Sequence, residues 1–260
     1  MNFFSSDSYL TAFAASFFPR SEARVEQVAV EGCAFRVLCL DGARVVHDAR
    51  FLDYLEPLPA AEQGQLRPVP YLRRVARGLV TVEGAAPALP REMQPAPQVR
   101  WGAFASFDAY RALVEERSRS CMATTARKAR KLERGHGRLR LEQNHPDKEH
   151  ALRLLFRWKG AQYRRTGLPD LFARPCSRAF LRRLVHAGAV EVATLAAGDQ
   201  LVAVHVGPRL DGRFYHWLPA HDPDPLFARC SPGTVLTHAL LEASFERGDH
   251  TFDFLLGGED

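Results

Sequence analysis

The chain has 260 residues, of which 46% are hydrophobic and 25% charged, room for one large domain or two modest ones. That balance excludes disordered, collagen-like and coiled-coil chains, and no run approaches the roughly 18 uninterrupted apolar residues of a transmembrane helix. The formal charge is +5, and the whole excess lies beyond Ala105, densest in Arg111–Arg140, where ten basic residues stand against three acidic ones. Such a cluster meets phosphate on nucleic acid, an anionic membrane or a cofactor, or is a solvated helix face.

The first eighteen residues are apolar but lack the positive n-region of a signal peptide, and residues 7–18 are expected to form a short amphipathic helix stopped by Pro19. Strand-like runs follow at 25–30, 35–40 and 44–47, the last two joined by an Asp41-Gly42 turn. FLDYLEPL at 51–58 and the run at 69–84 continue a mixed α and β pattern. The proline-rich stretch 86–97 is the one obvious linker, and the domain boundary is placed near Ala105, giving domains 1–105 and 106–260.

In the second half Ser106 caps a helix carrying Phe107, Tyr110, Leu113 and Val114, and a basic helix spans Thr125–Arg134 and ends at Gly135. After a short strand at 139–143, Asp147 opens a long helix with Ala151, Leu155, Trp158 and Gln162 on one face, stopped at Gly167. A further helix runs from Pro175 towards Gly188. Strands at 190–196, 201–206 and 213–218, joined by the turns Gly198-Asp199 and Asp211-Gly212, predict an antiparallel meander. A helix over 231–248, with Ser231 as cap and Pro232 in its first turn, precedes a buried strand at 251–256. The class is α+β.

This order, with the strings TTARKARKLERGHGRLRLE at 124–142, RWKGAQYRRTG at 157–167, GDQLVAVHVG at 198–207, FYHWLPAHDP at 214–223, SPGTVLTHALLEASFERG at 231–248 and FDFLLGGED at 252–260, resembles the GCN5-related N-acetyltransferase (GNAT) superfamily. FLDYLEPL in the first half adds to a resemblance to the CelD/BcsL-type, FemAB-like branch, which implies tandem GNAT-like domains with mostly antiparallel sheets flanked by helices. Those proteins continue past the last strand with G-x-x-x-Y-K, a helix and closing strands. The sequence here ends at Asp260, so a C-terminal domain without that last part is expected.

The resemblance implies acyl transfer from acyl-CoA, such as acetyl-CoA, directly to an amine or hydroxyl acceptor, in exopolysaccharide or cell-envelope synthesis. It places Arg229, Ser231, Gly233 and Thr234 at the pyrophosphate, where free N–H groups and the positive helix end suit an anion; the plain alternative is an ordinary helix start. It also implies that the strand at 213–218 splays from its neighbour and offers a backbone N–H to the thioester carbonyl, with Trp217 on the cofactor side. His216 or, second, His205 is a base for the acceptor amine, or else a hydrogen-bonded histidine of core or surface. Asp222 holds the acceptor amine or is a turn residue before Pro223. Lys159 and Gln162 face the acceptor cleft, or Lys159 is solvated beside a packed Trp158; Asp253, a carboxylate in an apolar strand, must be paired or line a cleft.

Five cysteines, an odd number with no C-x-x-C pair, suit a reducing compartment, and a cytoplasmic location is expected. No spacing supports a metal site, and no G-x-S-x-G elbow, P-loop or dinucleotide fingerprint is present. Two other readings stay open: a FemAB-like aminoacyl-tRNA-dependent transferase gripping tRNA through Arg111–Arg140, and a non-catalytic GNAT-fold binding protein.

Overall fold

The computed structural model describes residues 2–30, 33–42, 44–46, 51, 55–64, 67–68, 97–118 and 121–255. The expectations for 69–84 and for nearly all of the 86–97 linker lie outside the described residues. The chain forms two compact units, one built from Met1–Pro97, Ala179–Ala189 and Phe254–Asp260, the other from Gln98–Arg178 and Val190–Asp253.

In the first unit α1 (Asp7–Phe17) starts where Ser6 Oγ accepts from the Tyr9 N–H, and its cap residue Phe18 precedes the helix-breaking Pro19. β1 (Ala23–Val30) and β2 (Cys33–Leu40) pair antiparallel from Ala23↔Leu40 to Val30↔Cys33. β3 (Arg44–Val46) returns along β2 after a turn in which Asp41 and Gly42 take φ of 52° and 71°, the left-handed values a tight hairpin needs. β4 (Arg67–Pro68) adds parallel to β1, so the sheet order is β3-β2-β1-β4. Beside this sheet the Phe180 ring packs against Tyr9, Phe13 and Phe51, with centroids 5.4–5.5 Å apart. Aromatic side chains carry large apolar areas, and edge-to-face pairs such as Tyr9–Phe180 add a further increment.

The second unit runs β5 (Gln98–Arg100), α2 (Phe107–Arg117), α3 (Cys121–His136), β6 (Leu139–Glu142), α4 (Lys148–Thr166), α5 (Pro175–His186), β7 (Glu191–Ala197) and β8 (Gln200–Gly207). It continues with β9 (Arg209–Leu210), β10 (Arg213–Tyr215), β11 (Leu218–His221), α6 (Pro225–Ala228), α7 (Pro232–Glu246) and β12 (Thr251–Asp253); from Ala179 to its end α5 belongs to the first unit. Ser106 and Asp147 cap α2 and α4 by accepting the N–H groups of Ala109 and His150. Gly167, at φ 71°, ends α4 in a left-handed cap. α3 begins earlier than its basic run, at Cys121, and passes through Gly135 to stop before Gly137 at φ 95°. The α+β class and the strand–helix order agree with the sequence reading.

The strand expected over 213–218 does not form as one piece. β10 pairs parallel with β12, whereas β11 pairs antiparallel with β8. His216 and Trp217 bridge two sheets, ordered β5-β12-β10-β9 and β11-β8-β7-β6. The simple meander is thereby corrected: β7 and β8 are a hairpin, but the third strand leaves it halfway. Alternation of side chains within 213–218 is uniform, so no periodicity marks the break; it is set by backbone partners far away in sequence. The last strand is likewise shorter than expected, ending at Asp253, with Leu255 at φ 63° and Leu256 outside the described residues.

Candidate active site

At the break each backbone donor has a defined destination. The Tyr215 N–H donates to Pro208 O, that of His216 to Asp253 O, and that of Trp217 to His205 Nε2 at 3.1 Å. These N–H groups therefore do not offer themselves to a thioester carbonyl, contrary to expectation. Along β11 the Asp222 N–H bonds Val202 O, so by the alternation of an antiparallel ladder the His221 N–H is directed to the side away from β8. The other position directed that way is Pro219, which has no N–H.

α7 begins at the same place. Ser231 sits in the left-handed region, φ 48° and ψ 59°, and its side chain does not cap the helix. Its Oγ accepts instead from Lys128 Nζ on α3, at 2.8 Å. Gly233 lies against the His221 ring: a Cβ there would stand 3.2 Å from Nδ1. The glycine thus answers first to a neighbouring side chain. Thr237 Oγ1 donates to Gly233 O and accepts from His216 Nε2, each at 3.0 Å, which ties the first turn of α7 to the strand break. Arg229 and Thr234 are exposed at this helix end.

The paired backbone N–H assigns His205 its tautomer. Nε2 carries the lone pair and accepts from Trp217, so the ring proton is on Nδ1. His205 is 1% exposed and stacks on His216 with centroids 4.8 Å apart. Burial holds its pKa well below the ordinary histidine value, and the neighbouring His216 and Lys159 act in the same sense. His216 is lowered to about 4, first by burial and then by Lys159. Burial thus holds both imidazoles towards their neutral forms at pH 7. The lone pair of His205 is committed to the backbone, and the Nε2 of His216 is a donor to Thr237.

Lys159 is itself buried, 7% exposed, with Nζ 5.7 Å from the Tyr163 ring centroid, so it is not the solvated lysine of the plain reading. Its charge also lowers His221, after burial and the nearby Arg165, while Asp222 acts in the opposite sense. Gln162 lies half-buried one turn from Trp158 on the same helix. Asp253 is fully buried, with Oδ2 3.9 Å from Arg213 Nη1, so of the two readings it is the paired one. Between α4 and the turn after β11 lies a cleft of about 450 Å³, lined in part by Arg157, Trp158, Arg164 and Asp222. Asp222 Oδ1 also accepts from the Asp224 N–H, so it is a turn residue and a cleft residue at once.

Residues 119–260, more than half of the chain, match the family model described as Acetyltransferase (GNAT) domain. The chain belongs to the GNAT acetyltransferase family. No curated protein matches it significantly. Among solved structures it is similar to FemX, with 11% identity, 96% of this chain and 83% of FemX covered, and a TM-score of 0.50, a likeness of fold. L-PGS from Bacillus licheniformis (15% identity, 62% and 44% covered, TM-score 0.39) also matches. So does a conserved protein of unknown function from Bacteroides thetaiotaomicron (12% identity, 64% and 52% covered, TM-score 0.43). The chain spans about half the length of three of the solved structures it matches.

Within this GNAT chain the structure links Gly233 to His216 through Thr237, ties Ser231 to Lys128, and places Asp222 with Trp158 in the cleft. It leaves His205 and Asp253 inside the packing. Two residues escaped the sequence reading. Lys128 is one basic residue among ten in Arg111–Arg140, and only the packing of α3 on α7 selects it. His221 precedes Asp222 in the HDPD string, but its contact with Gly233 spans twelve residues and leaves no local signal. Among the described residues no group of three or more His, Cys, Asp or Glu side chains is placed to hold a metal ion, and no helix is long and apolar enough to cross a membrane.

Proposed function

We propose that this chain is an acyl-CoA-dependent acyltransferase acting on an amine or hydroxyl acceptor, of the CelD/BcsL kind tied to exopolysaccharide or cell-envelope synthesis, with the chemistry carried by residues 106–260. The observation that supports this reading is the single run 213–221 divided between two sheets, opening a backbone edge at β11 beside the start of α7. An extended pantetheine arm fits along such an edge, and its pyrophosphate fits the α7 terminus, where unpaired helix N–H groups and the dipole favour an anion. Ser231, Gly233, Thr234 and Arg229 surround that terminus, and Lys128 adds the charge. Trp217, 8% exposed at the break, belongs to the cofactor side in this reading.

The acceptor amine, having lost a proton, attacks the thioester carbonyl carbon; the C–S bond then breaks and the departing thiolate takes up a proton. His221 is the histidine placed for the first proton. It is half-buried, kept neutral at pH 7 by burial, beside Asp222 at the cleft and against Gly233 at the cofactor end. Lys159 and Gln162 line the acceptor side of α4 in this reading.

Coenzyme A and acetyl-CoA are expected to raise the melting temperature, a ligand at about a hundred times its Kd adding roughly 2.7 kcal/mol. Lys128→Ala is expected to weaken coenzyme A about tenfold, since a hydrogen bond to a charged group is worth about 1.5–3 kcal/mol. It is a cleaner variant than a bulky residue at Gly233, which would first displace His221. Unchanged affinity in Lys128→Ala would remove the phosphate site from α7. A second reading, an aminoacyl-tRNA-dependent transferase, is favoured by the exposed Arg127, Arg130, Lys131 and Arg134 along α3. Stabilisation by tRNA alone, falling steeply with salt, would replace the acyl-CoA reading with that one.

A further inference from the structure

The cleft of about 450 Å³ has walls of opposite charge. Arg157 and Arg164 stand on one side, two turns apart on α4 and therefore about 10 Å from each other along the axis. Asp222 and Asp224 stand on the other, in the turn between β11 and α6. Among the described residues neither arginine makes an ion pair within 4.0 Å with either aspartate; Arg164 approaches Asp170 instead, at 4.0 Å, outside the facing wall. Opposite charges that share a cleft without neutralising one another leave both walls open to a ligand.

Between the walls is Trp158, 2% exposed, whose Nε1–H is buried without a hydrogen-bond partner. The Arg157 guanidinium lies 5.9 Å from the same ring, which presents its planar fork beside the indole.

We infer that this cleft takes a zwitterionic acceptor, a molecule with a free amine and a carboxylate, such as a short peptide. The carboxylate lies on the arginine wall. The ammonium lies on the aspartate wall, next to His221. A plain polyanion would meet Asp222 and Asp224, and a plain polyamine would meet Arg157 and Arg164; only a ligand bearing both signs satisfies the two walls. The inference deepens the transferase reading and rests on it for the word acceptor, but the binding it asserts needs no donor.

Binding to the full chain without coenzyme A is therefore measured by calorimetry with three size-matched probes. These are alanyl-alanine, its C-terminal amide, which lacks the carboxylate, and its N-acetyl form, which lacks the amine. Alanyl-alanine is expected to bind at least tenfold more tightly than either. Arg164→Gln is expected to erase the advantage over the amide, and Asp222→Asn, which keeps the acceptor for the Asp224 N–H, the advantage over the N-acetyl form. Equal binding of all three, or binding of none, would overturn the inference. Selective binding with no acetyl transfer from acetyl-CoA would instead count against the transferase reading and leave the zwitterion site standing.

Discussion

Gly207→Ala is expected to destabilise the protein by about 3 kcal/mol and to lower its melting temperature by roughly 6–12 °C. Gly207 closes β8, and a Cβ there would lie 2.2 Å from Tyr215 O and 2.4 Å from His205 Cε1. The first is backbone of β10 and cannot swing aside; the second belongs to a ring held by stacking on His216 and by the Trp217 N–H. Relief requires β8 and β10 to separate, which pulls directly on the strand break. Gly135→Ala is the matching control. It lies within α3, a Cβ there would meet no atom within 4 Å, and alanine is expected to be neutral or to add about 0.5–1 kcal/mol. Thermal melts of the two variants check both signs, and equal melting temperatures would show that the close approach at Gly207 is not a constraint.

Acidification is expected to unfold the chain through its buried histidines. His216 titrates near 4 in the folded protein and near 6.5 when unfolded. Above about pH 6.5 both states are neutral and stability is at its full value. Between about 6.5 and 4 the unfolded chain binds a proton that the folded chain refuses, so stability falls by about 1.4 kcal/mol per pH unit, reaching roughly 3 kcal/mol at pH 4. His205, lowered further by its complete burial, acts in the same direction. Urea midpoints at pH 7.5, 5.5 and 4.5 measure the slope. His216→Gln, which keeps a donor towards Thr237 but has no titrating proton, is expected to flatten it by about one proton. An unchanged slope would mean that the ring is protonated without penalty.

The elements were largely legible in the sequence because their signals are local. Ser106, Asp147 and Gly167 act within one turn of the helices they bound, and Asp41-Gly42 sets its hairpin by two dihedral angles. The candidate site was legible only in outline. Ser231, Gly233 and Asp222 stand out as a helix start and a turn, and all three line the region described. The roles of the histidines were not legible, because they depend on which nitrogen meets which backbone group across sheets. His205 and His216 differ from His221 in burial and partners, not in sequence neighbourhood. The break at His216-Trp217 was hidden for the same reason: β10 and β11 choose β12 and β8 as partners, and neither choice is written in the six residues at 213–218.

The shared membership of α5 bears on modularity. Residues Ala179–Ala189 lie inside the stretch that matches the GNAT family, yet they pack into the other unit, where Phe180, Leu181 and Leu184 are fully buried. A gene fragment cut at residue 119 would carry those side chains without the aromatic shell of Tyr9, Phe13 and Phe51 that covers Phe180. The catalytic-type half is thus not a portable cassette. Expressed alone it is expected to aggregate or to need a solubilising partner, while the whole chain stays monodisperse in size-exclusion chromatography. Recombination between relatives would succeed only when this helix travels with the N-terminal half that receives it, a linkage that ties the inheritance of the two halves together.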